Sequence, residues 1–350
     1  MMDNWLTGAG DAGAVLITVA IVEGSGPREA GAKMLVTATQ RFDTIGGGHL
    51  EMRAIELARG MLAGAAAPAR IERFALGPSL GQCCGGVVHL AFERVDADLA
   101  AVLEALRRRG QEDSWRVSAI DGAAASLLLD AAGNVIAGTG KDALAPCALE
   151  RAAHVLRDGA GRRWLVDPCL APRAHLTLFG AGHVGAAIVR ALAELPCNIT
   201  WVDEREDMFP AVVPQHVRIE ATDMPEALVG EAPSGASFLV MTHSHALDQR
   251  LTEAIMARAD VGWFGLIGSQ TKRRQFEHRL RARGVDPARI EAMVCPIGLP
   301  GIGNKAPAAI AVAVCAQLLM VWEAAAAATR ATAPLRLAAS GGVVKVTHQF

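Results

Sequence analysis

The order of apolar and polar positions divides the chain into stretches of different periodicity. Residues 14–22, AVLITVAIV, are a continuous apolar run rich in β-branched side chains, which predicts a buried strand. Residues 32–38 and 42–46 predict a hairpin across Thr39-Gln40-Arg41, and Gly46-Gly47-Gly48 ends its second strand. From His49 to Leu62 the apolar positions Leu50, Ile55, Leu57, Met61 and Leu62 return at helical spacing. Strands follow at 70–75 and 87–93, split by the glycine-rich stretch Gly77 to Gly86, and a helix at 96–109 closes an α+β region.

Residues 110–172 carry less pattern. A hairpin is predicted from Ser126–Asp130 and Asn134–Gly138 around Ala131-Ala132-Gly133. Arg162-Arg163, Pro168 and Pro172 read as a linker. From Arg173 onward strands (175–179, 198–202, 216–220, 237–242, 261–267) alternate with helices (183–195, 246–258, 269–283). A proline–glycine segment from Cys295 then feeds a long helix at 306–327. Such alternation implies a parallel, doubly wound sheet. The expected fold is therefore α/β: an N-terminal α+β domain (1–110), a connecting segment (111–172), a C-terminal Rossmann-like domain (173–330) and a tail (331–350).

Composition narrows the function classes. A chain of 350 residues fits two domains. Its 34 Lys plus Arg against 36 Asp plus Glu leave a net charge of −2, without the basic excess of a nucleic-acid binder. The start, Met1-Met2-Asp3-Asn4-Trp5, lacks the basic and apolar regions of a signal peptide. Ala306 to Trp322 is apolar but alanine-rich and interrupted by Pro307 and Gln317, so it reads as a buried helix rather than a membrane span. Seven cysteines show no zinc-type pair of pairs. The expectation is a cytoplasmic protein with reduced thiols, no metal site, and neither membrane nor nucleic acid as partner.

Gly180-Ala181-Gly182-His183-Val184-Gly185 is a GxGxxG turn between a predicted strand and a predicted helix, and Asp203 ends the next strand. Gly180 permits the turn, Gly182 lets a phosphate approach the backbone, and Gly185 lets the helix pack on the sheet. Asp203 stands where a ribose-binding acid is expected. Arg205 either accepts a 2′-phosphate or pairs with neighbouring Glu204 or Glu206. His183 either faces a ligand or is a polar residue at a helix start. The segment Thr242-His243-Ser244-His245-Ala246-Leu247-Asp248 follows the fourth strand on the same rim. His243 and His245 are candidate ligand contacts, acid/base groups or metal ligands, or else surface histidines beside a Ser244 cap. Gly268-Ser269-Gln270-Thr271-Lys272-Arg273-Arg274 follows the fifth strand. Ser269 fits an N-cap, and cations at a helix start fit a nearby phosphate or acidic partner. With Pro300 to Lys305, three glycine-bearing turns on one rim suit a large phosphorylated ligand.

The first domain has its own glycine loops: Gly24 to Lys33 with two cations, Gly46 to Glu51, and Leu76 to Gly86 with Gln82-Cys83-Cys84. Paired thiols in such a loop act as a nucleophile or a soft-metal ligand, or are two small buried residues.

Together these segments resemble the xanthine dehydrogenase accessory protein family, the XdhC/CoxI family. The resemblance runs through GSGPREAGAKMLV (24–36), TIGGGHLE (44–51), LGPSLGQCCGG (76–86), LFGAGHVG (178–185), MTHSHALD (241–248), FGLIGSQTKRRQF (264–276) and CPIGLPGIGNKAPAAIAVA (295–313). It implies a chaperone rather than an enzyme. Such a protein binds molybdenum cofactor (Mo-molybdopterin) transiently, protects it, supports its sulfuration by a cysteine desulfurase and delivers it to apo xanthine dehydrogenase. The cofactor contacts that follow are Gln82, Cys83, Cys84, Gly180, Gly182, His183, Gly185, Asp203, His243, His245 and Ser269. A homodimer is the base-rate expectation. The competing classes are an NAD(P)-dependent oxidoreductase, which the fingerprint and Asp203 favour, and a scaffold with no ligand of its own. If the paired thiols stabilise bound cofactor, a folded Cys83→Ser/Cys84→Ser double variant loses much of its cofactor retention in dialysis. Unchanged retention removes the thiols from the site.

Overall fold

A computed structural model of the chain describes residues 4–8, 13–64, 67–77, 85–139, 150–332 and 344–345. They divide into two compact units, one reaching to Ala171 and the other starting at Pro172.

The first unit begins with a helical turn, α1 (Asn4–Thr7), and builds a five-stranded antiparallel sheet in the order β3-β2-β1-β5-β4. Its strands are β1 (Ala14–Glu23), β2 (Lys33–Thr37), β3 (Arg41–Asp43), β4 (Ala69–Ala75) and β5 (Val87–Arg94). The continuous apolar run of β1 has a direct cause. Val15, Ile17 and Val19 face helix α2 (Gly48–Ala63), while Ala14 and Leu16 face helix α3 (Ala97–Arg108), so both sides are buried. The hairpin's second strand is shorter than the pattern predicts, because Thr44 to Gly47 turn directly into α2.

The stretch expected to connect two domains, 111–172, instead forms a second antiparallel sheet in the same unit. Its strands are β6 (Ser114–Ala119), β7 (Ser126–Asp130), β8 (Val135–Gly138), β9 (His154–Arg157) and β10 (Arg163–Cys169). Val344–Lys345, in the expected tail, adds the edge strand beside β9; it closes the count as β16. The residues read as a linker are thus a strand. Pro168 is tolerated because β9 pairs only with Arg163 to Val166, leaving β10 a neighbour on one side at the proline.

One face of the second sheet buries Trp115, Val117, Trp164 and Val166. The other carries charge. Arg116, fully buried, bonds both oxygens of Glu93 through Nη1 (2.8 and 2.7 Å), Asp167 through Nε (3.1 Å) and Thr18 through Nη2 (3.2 Å). Lys33 Nζ reaches the other Asp167 oxygen at 2.8 Å. Burial opposes the Lys33 ammonium, yet Asp167 outweighs it and holds the group above the usual lysine range. Two cations and two carboxylates from four strands thereby cancel inside the unit.

The second unit is a parallel sheet ordered β13-β12-β11-β14-β15. Its strands are β11 (Ala174–Phe179), β12 (Cys197–Asp203), β13 (Val217–Ala221), β14 (Ser237–Val240) and β15 (Trp263–Leu266). Leu176 and Leu178 pack toward α4 (His183–Ala191) and α9 (Pro307–Thr332). Phe179, Phe238 and Val240 pack on the opposite side, with α5 (Pro225–Glu231), α6 (His245–Ala257), α7 (Gln270–Ala282) and α8 (Pro287–Ala292). This is the doubly wound arrangement the alternation predicts. Among the described residues α9 alone is long and apolar enough to cross a membrane, by length and composition. It is not the wholly buried helix expected, since 28% of its apolar stretch is buried. Ala311, Val314 and Leu318 face the core, while Val312 and Met320 stand exposed.

Removing Arg116 leaves Glu93 facing no buried cation. Arg116→Met is expected to cost about 3–5 kcal/mol in denaturant unfolding; a loss below about 1 kcal/mol would show that the charge cluster is not coupled to the sheet packing.

Candidate functional site

In the second unit the carboxyl ends of β11, β12 and β14 enclose a cleft lined by Phe179, Gly180, Val202, Asp203, Glu204, Pro225, Thr242, His243 and Leu247. The sheet order reverses across β11 and β14, which is where open α/β sheets bind ligands. Gly180 adopts φ +120°, and a Cβ there would run into the Met241 carbonyl. At Gly185 a Cβ would strike the Gly180 carbonyl, which also accepts from Trp201 Nε1 at 3.1 Å. These two glycines are required by the turn itself. Gly182 is different: a Cβ there would meet nothing within 4 Å. As N-cap of α4 it brings no side-chain cap to the first-turn amides of that helix. His183 is exposed at the first position of the helix.

Asp203 is buried beneath this turn. Its Oδ2 accepts from Ala181 N (2.7 Å) and Arg205 Nη2 (3.0 Å), and its Oδ1 from Arg205 N (3.1 Å) and Nε (2.9 Å). Burial pushes the carboxyl upward, but Arg205 and the Ala181 amide outweigh that and hold it below the usual carboxylate range. The expected ribose acid therefore serves as the clasp of the glycine turn.

The remaining rim residues separate into two groups. His243 lines the cleft and pairs with Glu204 at 3.3 Å. His245 lies against the Phe276 ring, 5.9 Å between centroids, and is not among the cleft residues. Ser244 caps α6 through Leu247 N. Ser269 is spent on the Lys272 amide as cap of α7. The Lys272 ammonium does not await a phosphate: it bonds Asp248 Oδ2 (2.5 Å) and the Ile267 carbonyl (2.8 Å). The other Asp248 oxygen holds Thr242 Oγ1 at 2.7 Å and Thr242 N at 3.1 Å. This buried link ties the turns after β14 and β15 together. The sequence reading missed it because its members are 24 positions apart.

In the first unit the strand ends that flank the three glycine segments lie at one end of the sheet, as the pairings Glu23 with Val87, Met34 with Asp43 and Ala75 with Val87 require. A Cβ on Gly46 would meet Pro27 at 2.5 Å, and Gly86 abuts the carbonyls of Glu23 and Ser25. The triple-glycine turn is satisfied internally: Glu51 accepts from Thr44 Oγ1, Ile45 N (3.2 Å), Gly47 N (3.1 Å) and Arg41. Of the two loop cations, Lys33 is committed to Asp167, and Arg28 bonds Glu29 and the Thr44 carbonyl. Gln82, Cys83 and Cys84 lie outside the described residues. Three of the described thiols are buried, and burial pushes Cys295 upward, Cys197 to about 11 and Cys315 to about 12, away from the thiolate form.

Two family models match the chain. One, described as the XdhC Rossmann domain, matches residues 176–318; the other, described as the XdhC and CoxI family, matches residues 9–75. Among curated proteins, the uncharacterized protein YqeB of Escherichia coli (strain K12) is 29% identical over 150 residues. That match takes in 43% of this chain and 27% of YqeB, so the chain spans little more than a quarter of that relative. Among solved structures, one described as a xanthine dehydrogenase from Bacillus halodurans aligns with a TM-score of 0.73 at 19% identity, over 92% of this chain and 96% of that one. A likeness at that identity speaks for the fold.

Because Asp203 titrates lower folded than unfolded, its contribution is present above about pH 4 and is lost as pH falls through its folded value. Asp203→Asn should therefore lower stability by about 2 kcal/mol near neutrality and converge with the parent in acid. Parallel melting curves across pH 3 to 7 would contradict the clasp.

Proposed function

The chain belongs to the XdhC family, and from that premise we propose that it carries molybdenum cofactor as cargo, supports its sulfuration and delivers it to xanthine dehydrogenase without being an enzyme itself. The cofactor supplies a phosphate monoester, a hydrogen-bonding pterin, a dithiolene and the molybdenum that the receiving enzyme uses. The observation that carries the reading is the ground at Gly182, where the N-cap of α4 supplies no side-chain cap and a Cβ would meet nothing within 4 Å. That combination fits a phosphate: backbone donors point at it, the helix dipole favours its charge, and no Cβ bars its approach. His243, which lines the cleft with Gly180, is the proposed polar contact for the remainder of the ligand. Sulfur for the exchange comes from a cysteine desulfurase, so the demands on this chain are to bind, shield and release. Binding that tight yet reversible fits donors that are fixed in advance by the Gly180 and Gly185 packing, with little left to order on capture.

The oxidoreductase reading needs Asp203 free for a ribose, and that carboxylate already accepts four donors. A cytoplasmic site of action is part of the proposal, in keeping with reduced thiols.

Equilibrium dialysis of the full chain against molybdenum cofactor tests the reading. The parent should retain the cofactor, and Gly182→Val should weaken retention about tenfold or more, ~1.4 kcal/mol or above. Equal affinity in a Gly182→Val variant with an unchanged melting temperature would refute the cradle.

A further inference from the structure

The most unusual feature of the cleft is how Arg205 is used. In a dinucleotide site, the acid at the end of the second strand reads a ribose diol by accepting from both hydroxyls. Asp203 occupies that position at the end of β12. Each of its oxygens takes two donors, three of the four coming from Arg205, and the side chain is 4% exposed. A carboxylate has about four acceptor sites, so none remains for a hydroxyl. A diol would have to displace a bidentate guanidinium, the strongest of the ordinary charge-assisted pairs, and offer two neutral donors in exchange. The geometry is local and complete: Arg205 stands two residues beyond Asp203 and folds back onto it.

The surroundings also disfavour Arg205 as an open phosphate receptor. Glu204 and Asp207 add negative charge around the guanidinium. Glu204 lines the cleft and pairs there with His243. A 2′-phosphate arriving at Arg205 would meet these carboxylates as well as the one it unmasks.

We propose that Arg205 is the specificity-determining residue of this crevice, latching Asp203 so that the site takes a phosphate monoester at Gly182 and refuses ligands that extend into a ribose. The inference rests on the cofactor-carrier reading, which it deepens: the cargo is the mononucleotide-free pterin form, and neither a nucleotide-extended pterin nor NAD(P)H is accommodated. Opening the latch should convert refusal into acceptance, since Asp203 would then have the arrangement of a ribose acid.

The test titrates the full chain with NADH and NADPH by fluorescence, and dialyses it against the two pterin forms. The parent should show no saturable binding of either nicotinamide. Arg205→Ala, with its fold checked by melting temperature, should gain NADH affinity at least about tenfold, and the Asp203→Asn/Arg205→Ala double variant should lose that gain. Arg205→Lys, which cannot grip both oxygens from one plane, should fall between parent and Arg205→Ala. Parent binding of NADH that Asp203→Asn abolishes would overturn the latch. So would parent binding of NADPH that Arg205→Ala abolishes, which would make Arg205 a receptor. In the pterin arm, equal retention of the nucleotide-extended and the monoester form by the parent overturns the inference while leaving the carrier reading intact. Retention of neither form defeats the carrier reading, and the nicotinamide arm then still decides the role of Arg205.

Discussion

The turn from β11 into α4 can close only if no side chain stands between the Gly180, Gly185 and Met241 backbones. Everything distinctive about the cleft follows from that close approach. It brings the amides of α4 to the rim, sets the Gly180 carbonyl over the Trp201 indole, and places the Ala181 amide where Asp203 can hold it. Gly182, lying between the two packed glycines, is left with open space. The same backbone geometry thus packs Gly180 and Gly185 tightly and leaves nothing within 4 Å of a Cβ at Gly182. Rigidity matters for a carrier, because donors that need no ordering bind without giving up affinity to that ordering.

Charges in this protein are mostly spoken for. Lys33 and Arg116 neutralise Asp167 and Glu93 inside the first unit; Lys272 is held by Asp248 and Arg205 by Asp203 in the second. Cations that in the sequence invite an anionic ligand are therefore largely structural. The contrast directs attention to the backbone donors that open α4, to which the N-cap Gly182 gives no side-chain cap, as the means of holding a phosphate.

The parts legible in the sequence are those whose signals are local. The β1 run is apolar on both faces, and the structure buries both; the GxGxxG turn sits between its strand and helix as its spacing requires. Of the second sheet of the first unit only the β7–β8 hairpin is legible in the sequence, for a physical reason. Arg116 and Asp167 point into the interior, so β6 and β10 show polar residues where a buried face is expected to be apolar. Proline at 168 strengthened the impression of a linker. In the site, Gly180, Gly182, Gly185 and His243 could be placed from pattern alone. The roles of Asp203, Ser269 and Lys272 could not, because they depend on which donor or acceptor reaches them first. An acid at the end of a second strand looks the same in sequence whether it reads a ribose or clasps a turn.

The central claim is that a phosphorylated pterin docks its phosphate on the amides that open α4. Amide hydrogen exchange of the full chain, with and without molybdenum cofactor, tests it most directly. Exchange at residues 183–185 should slow on loading, and the change should be larger there than on the far end of α4. Cofactor retention with unaltered exchange across that turn would place the cargo elsewhere and contradict the account.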